Sequence, residues 1–226
     1  MLLTPDLKTD LSDCPADLQA LINDAVRVIT QAISNYGTEN VAIAFNGGKD
    51  CTVLLHLLYI ALQKLELCQP IRFLAVCIET DSIFPEQEKF IAASAELYKV
   101  SLLRISGKIK DALFELQTRM PHIKAVLMGT RSTDPYSASL LPFTPCDAGW
   151  PDLMRVSPIL DWRYCDVWRF VKELSIPYCT LYDAGYTSLG NIHNTSPNPA
   201  LLQQDGVTYS PAYSLDNGGM ERAGRA

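Results

Sequence analysis

Residues 41–52 read Val-Ala-Ile-Ala-Phe-Asn-Gly-Gly-Lys-Asp-Cys-Thr. A short apolar run ending at Phe45 feeds Asn46 and two glycines, then Lys49 and Asp50, then the apolar helical run 53–62. The order is strand, glycine turn, helix. Gly47 and Gly48 let the backbone turn tightly and let a ligand approach it, while the first N–H groups of the following helix point at that ligand. The helix dipole and Lys49 add positive potential, so the position favours phosphate. The P-loop spacing G-x-x-x-x-G-K-[ST] is missing. A glycine turn closing an ordinary α/β unit is the plainer account, but the Gly-Gly-Lys-Asp order at such a junction favours nucleotide binding.

Outward from this stretch, strand and helix signals alternate. Asp13 and Pro15 open a helix with apolar residues at 18, 21, 22, 25, 29 and 33, and Gly37 stops it. Strands are expected over 71–78, 100–105, 124–128 and 154–159, and helices over 85–99, 108–119 and 163–174. Several strands lack polar alternation, which predicts a mostly parallel sheet covered on both faces, a doubly wound, Rossmann-like α/β fold. Asn46, Thr80 with Asp81, Ser106, and Gly129-Thr130-Arg131 each follow a strand end. In open α/β sheets the ligand crevice lies there, so four segments converge on one cleft. Beyond Pro177 periodicity fades. The expected division is an α/β core over 1–160 and a less regular C-terminal subdomain over 161–226, integrated as one domain. Residues 197–215 are open to a second account, a loose tail.

The 226 residues, 48% apolar and 19% charged, are those of a soluble globular protein. A net charge of −6 argues against a nucleic-acid partner. An anionic ligand then needs local positive charge or a metal ion. The seven cysteines are scattered without a C-x-x-C pair, and the three histidines lie far apart, so a structural zinc site is not expected. Reduced thiols point to a cytoplasmic protein. Neither a signal peptide nor a membrane span is expected.

Other residues carry chemistry only in combination. Asp134 before Pro135 either starts a turn or orients a ligand or Mg²⁺, which prefers one or two carboxylates with phosphate oxygens and water. Asp50 is the other candidate ligand, or a helix cap. Trp150, between Gly149 and Pro151, offers a rigid aromatic surface near Asp147, suited to a planar heterocycle with N–H donors. Trp162 reads as core. Arg222 and Arg225, three apart, point the same way on a helical turn and match phosphate oxygens, although from composition alone they are a solvated tail.

The first motif resembles the pyrophosphate loop, consensus Ser-Gly-Gly-Lys-Asp-Ser, with Asn46 in place of the first serine and Cys51 of the last. With Gly129-Thr130-Arg131 through Asp134-Pro135, Asp147 with Trp150-Pro151, the segments 155–168, 181–190 and 195–201, and finally 221–225, the chain is similar to the FMN adenylyltransferases. These are the eukaryotic-type FAD synthetases, related to phosphoadenylyl-sulfate reductase. The run Gly-Tyr-Thr-Ser-Leu-Gly followed by Pro-Asn-Pro is more specific than the glycine loop. Cys146 stands where the family has threonine.

The resemblance implies transfer of AMP from MgATP to the phosphate of FMN, giving FAD and pyrophosphate without a covalent intermediate. Phe45, Asn46, Gly47, Gly48, Lys49, Asp50, Cys51, Ile78, Thr80 and Gly129 would face ATP, with adenine near 78–82. Arg131, Asp134, Asp147, Trp150, Arg222 and Arg225 would face FMN, Asp147 accepting an isoalloxazine N–H. Asn46, Asp50, Asp134, Arg222 and Arg225 would carry catalysis, and Asp50 and Asp134 would hold Mg²⁺ directly or through water. Cys51, at a helix start that can lower a thiol pKa, is expected to be structural. ATP and FMN are the expected partners, with no obligate protein partner. A reductase of the related family needs a cysteine in a C-terminal Glu-Cys-Gly-Leu-His-type motif, and none follows Cys179. A tRNA-modifying or amidotransferring ATP pyrophosphatase is the second enzyme alternative, and the acidic charge and missing basic surface disfavour an RNA substrate. A flavin- or nucleotide-binding module without turnover is the non-enzyme alternative.

Overall fold

A computed structural model describes residues 7–67, 73–79 and 82–226. The expected site residue Thr80, with Asp81 and the start of the strand expected from 71, lies outside the described residues. Helix α1 (Ala16–Tyr36) precedes β1 (Val41–Ala44), α2 (Lys49–Lys64), β2 (Leu74–Glu79), α3 (Pro85–Leu97), β3 (Ser101–Ser106), α4 (Ile109–Arg119) and β4 (Ala125–Leu127). Then come β5 (Phe143–Pro145), β6 (Met154–Val156) and α5 (Tyr164–Glu173). The six-stranded sheet has the order β3-β2-β1-β4-β6-β5. All neighbouring pairs are parallel except β5 with β6.

Alternation within the strands explains how both faces are covered. Val41, Ile43 and Phe45 enter a large cluster with α1, α2 and α5, whereas Ala42 faces a smaller one with Ala112 and Leu116 of α4. In β2, Ala75 and Cys77 join the first cluster and Val76 the second. Successive side chains of a strand point to opposite faces, so continuous apolar runs are what a doubly covered sheet requires. Trp162 is core, as expected.

The topology places the crevice. The chain moves outward from β1 through β2 to β3, then returns to the other side of β1 as β4. Strand order reverses between β1 and β4, and the space beyond their carboxyl ends is the switch point at which such sheets bind ligands. Gly129 follows β4 there because the start of α2 allows nothing larger. A Cβ on Gly129 would lie 2.9 Å from the Asp50 carbonyl carbon and from the Cys51 nitrogen.

Two expectations change. The strand expected over 154–159 is Met154–Val156, and a preceding strand, β5, pairs with it in antiparallel register, Phe143 opposite Val156 and Pro145 opposite Met154. Residues 197–215 are irregular but packed, not a loose tail. Leu201 and Ala212 are buried, Leu202 bridges Tyr209, and the Tyr164 hydroxyl donates to the Ala212 carbonyl at 2.8 Å.

Candidate functional site

The loop after β1 takes its shape from a few bonds. Gly47 adopts φ +75°, a region open to glycine at little cost. Gly48 is the residue before α2, and its N–H donates to Asn46 Oδ1 at 3.0 Å. The Lys49 N–H donates to the Tyr182 hydroxyl at 2.8 Å, and Gln87 Nε2 donates to the Asn46 carbonyl at 2.8 Å. Asp50 therefore falls in the first turn of α2, behind Gly48, and its carboxylate makes ion pairs instead of capping the helix. Cys51 Sγ lies 3.1 Å from both Asn46 Oδ1 and the Gly48 carbonyl. A helix start lowers a thiol pKa, but here burial wins and pushes the thiol up to about 12. Cys51 is a neutral structural group at this loop.

Beneath the loop lies a buried ionic network. Lys49 and Arg131 are 2% and 1% exposed. Lys49 Nζ meets Asp50 Oδ2 at 3.0 Å and also pairs with Glu221 Oε1, with the Tyr164 ring centroid 5.4 Å away. Arg131 Nη2 donates to both Glu221 oxygens, at 2.7 and 2.6 Å. Arg131 Nε stands 2.9 Å from Asp50 Oδ1, an ion-pair contact whose angle is not that of a hydrogen bond. Burial opposes the charged guanidinium, and the Asp50, Glu221 and Asp134 carboxylates more than offset that, so its pKa is raised. Asp134 Oδ2 accepts the Arg131 backbone N–H at 2.9 Å, fixing the turn after β4. Arg222, half exposed, brings Nη2 to 3.8 Å from Asp134 Oδ1.

The C-terminal segment reaches this network because residues 185–198 cradle it. The Thr187 hydroxyl donates to the Glu221 carbonyl at 2.6 Å. Asn198, fully buried, donates to the Met220 carbonyl and the Thr187 hydroxyl, each at 2.8 Å. The Ser196 N–H donates to the Gly224 carbonyl, and Thr195 bridges Arg225. Gly190 leaves room for the Arg225 guanidinium, whose Nη1 donates to the Leu189 carbonyl at 2.9 Å. Burial lowers the pKa of Arg225, with Arg222 adding to the effect. The two arginines follow a 3-10 turn (Gly218–Met220) and a run of turns, and both are held against the cleft wall, unlike a solvated tail.

These parts enclose a cleft of about 370 Å³. Of the expected residues, Phe45, Asn46, Gly48, Lys49, Asp50, Cys51, Ile78, Gly129, Asp134, Arg222 and Arg225 line it. Arg131 lies behind this wall, on a second cavity of about 400 Å³ that it shares with Asp134, Glu221 and Arg222. Asp147 and Trp150 lie outside the cleft, on the loop between β5 and β6. There the Trp150 N–H donates to the Asp147 carbonyl at 3.0 Å across a turn with Gly149 at φ +76°. Asp147 is 70% exposed, 3.4 Å from Arg155 Nη2. Trp150 carries Lys110 Nζ at 5.7 Å from its ring centroid, next in sequence to Ile109 on the cleft rim. Of the expected carboxylates, Asp50 and Asp134 line the cleft, each 23% exposed, and Glu221 joins them there.

Glu221 and Tyr182 belong to the site without having been assigned a role from sequence. Glu221 reads as one acid in a polar tail, and its partners lie 172 and 90 residues away. Tyr182 holds Lys49 from an irregular segment 133 residues distant. The one signal present was their membership in the motif strings at 181–190 and 221–225.

The phosphoadenosine phosphosulfate reductase domain model matches residues 40–197. A probable FAD synthase of Schizosaccharomyces pombe is 42% identical over 214 residues, covering 92% of this chain and 80% of that protein. One from Caenorhabditis elegans is 42% identical over 210 residues, and there the chain spans 40% of the relative. Among solved structures, Candida glabrata FMN adenylyltransferase in complex with FMN and the ATP analog AMPCPP is similar with a TM-score of 0.86 and 28% identity, covering 93% and 90% of the two chains.

Proposed function

Since the chain belongs to the FAD synthase family within the phosphoadenosine phosphosulfate reductase domain proteins, we propose that it transfers the AMP of MgATP to the phosphate of FMN, releasing pyrophosphate and forming FAD. The observation that carries this reading is the meeting of the loop 46–51 with Arg222 and Arg225 across one cleft at the switch point. A phosphate monoester has a second pKa of about 6, so the FMN phosphate is already an anionic nucleophile at neutral pH. No general base is needed. The chain has to align that oxygen with the α-phosphorus and the leaving pyrophosphate, and to stabilise charge as it shifts.

The residues divide that work. The glycine loop and the start of α2 present N–H groups and the helix dipole to the ATP phosphates, and Gly129 lets them come close to the end of β4. Lys49, enclosed by Asp50, Glu221 and Tyr164, adds charge from beneath the loop. Asn46, now accepting from Gly48, turns its amide toward the reacting phosphate. Arg222 and Arg225 meet the phosphates from the opposite wall, a geometry suited to planar guanidinium groups. Asp50, whose two oxygens pair with Lys49 and Arg131, and Asp134 would hold a Mg²⁺, directly or through water, since that ion takes one or two carboxylates and otherwise phosphate oxygens and water. When bound, that ion supplies countercharge to the phosphates. Adenine lies against Ile78 at the end of β2. The isoalloxazine ring extends from the cleft past Ile109 to the β5–β6 loop, where Trp150 borders it and Asp147 accepts a ring N–H. Arg131 holds Asp134 and Glu221 in place behind the flavin phosphate. Residues 161–226 thus complete a site begun by 1–160. The cysteines of the described residues are unpaired, which suits a reducing cytoplasm.

The test is FAD and pyrophosphate formation from FMN and ATP, with and without Mg²⁺, followed by chromatography. Stoichiometric, Mg²⁺-dependent products are expected. Tight FMN binding without FAD would replace turnover with a binding role.

A further inference from the structure

We propose that Glu221 is a positioning residue, whose carboxylate clasps the C-terminal unit onto the phosphate loop and thereby sets where Arg222 and Arg225 stand. The inference rests on the adenylyl-transfer reading above. A carboxylate leaves water at high cost unless it is paired and hydrogen-bonded. Glu221, 13% exposed, meets that condition by accepting twice from Arg131 and by pairing with Lys49. Both cations are themselves buried, so the three charges satisfy one another across the junction between the α/β core and the C-terminal unit.

Most other bonds of residues 220–226 stay inside that unit. Thr187, Leu189, Asn194, Ser196 and Asn198 all hold the segment from the cradle, not from the sheet. Those bonds shape the segment. The Tyr182 hydroxyl, accepting from the Lys49 N–H at 2.8 Å, ties the unit to the phosphate loop at one point, and the Glu221 side chain ties the arginine-bearing segment itself to Lys49 and Arg131. Its neighbour Arg222 reaches the core only at 3.8 Å from Asp134. Glu221 also shares Lys49 and Arg131 with Asp50. Without it, Lys49 would draw on Asp50 alone and Arg131 on Asp50 and the more distant Asp134, 3.9 Å away, pulling the Asp50 carboxylate away from the cleft. One acid therefore governs the aim of groups on both walls.

The experiment is a double-mutant cycle on FAD formation, using wild type, Glu221→Gln, Arg222→Ala and the pair. A misplacement of about 1 Å away from the chemistry costs about 10²-fold, so Glu221→Gln should lower kcat by about that factor and move the KM for ATP far less. Because part of the loss runs through Arg222 and the rest through Arg225 and Asp50, adding Glu221→Gln to Arg222→Ala should slow the enzyme further, but by clearly less than Glu221→Gln slows wild type. If Glu221→Gln does not fold by circular dichroism, Glu221→Asp takes its place in the cycle. It keeps the charge for both cations and shortens the reach, and its kcat should still fall. A kcat equal to wild type in the folded variant, or losses that multiply in full, would overturn the proposal. Wild type that makes no FAD removes the functional reading together with the proposal, whereas active wild type with an unchanged Glu221 variant removes the proposal alone.

Discussion

Replacing Gly129 by alanine probes how closely the end of β4 must approach the start of α2. The added Cβ would stand 2.9 Å from the Asp50 carbonyl carbon and the Cys51 nitrogen, and 3.1 Å from the Asp50 carbonyl oxygen. Ordinary contact begins at 3.4 Å, so an overlap of 0.5 Å must be relieved. Every obstructing atom is backbone, and no rotamer change can relieve it. Either α2 shifts away from β4 or the strand end bends. Overpacking of this kind costs about 1–3 kcal/mol, and a chain of this size loses roughly 2–4 °C of Tm per kcal/mol. The same movement carries Asp50 and the first turn of α2 away from the phosphates. Since 1 Å costs about 10²-fold, half that distance on a logarithmic scale gives about a tenfold loss of kcat. Urea unfolding measures the first quantity, and initial rates of FAD formation at 25 °C, where the variant is folded, measure the second. A variant within about 0.5 kcal/mol of wild type with undiminished kcat would refute the argument that this close approach shapes the crevice.

Three further outcomes are expected. Arg222→Ala, at a side chain 52% exposed, should leave Tm unchanged while kcat falls by about 10²–10³, the cost of losing one donor to developing charge; an undiminished rate would take Arg222 out of the mechanism. Native protein treated with iodoacetamide at pH 8 should be labelled at exposed Cys165 and not at Cys51, whose pKa is pushed up to about 12 by burial; peptide mapping that finds both equally labelled contradicts this. His56 is pushed down to about 4, chiefly by burial. The unfolded chain binds that proton near pH 6.5 and the folded chain only near 4, so stability is full above 6.5 and declines as pH falls through that window, by about 3 kcal/mol in all. Urea midpoints between pH 7.5 and 4.5 should show the decline, and His56→Gln should flatten it; an equally steep variant would assign the slope elsewhere.

The elements that carry the crevice were legible because their signals are local. The run 41–45 has no polar alternation, two glycines follow it, and a helical pattern resumes at once, so strand, turn and helix could be read without a partner. β5 could not. Phe-Thr-Pro is too short for periodicity, and its identity as a strand comes from pairing with β6. The tail arginines had no signal of their own in composition and gained a role only through resemblance. Glu221 was harder still. An acid beside two arginines looks solvated, and the two cations it neutralises are brought to it by the sheet and by the cradle over 185–198. Asp147 and Trp150 were recognisable as a motif, yet sequence could not say that they ride on a hairpin loop beyond the cleft wall. Charge pairing across long separations leaves no trace in periodicity, whereas apolar faces do.

The same sheet has two outer strands, and each limits what another molecule can attach to. A bare strand edge is a row of backbone donors and acceptors ready to recruit a foreign strand. β5 presents three residues, one of them Pro145, which has no N–H to offer. At the other border β3 carries Arg104, tied at 2.6 Å to Glu79 and at 2.5 Å to Glu88. Charge at one margin and brevity with proline at the other both discourage edge-to-edge stacking of a sheet whose strands are strongly apolar.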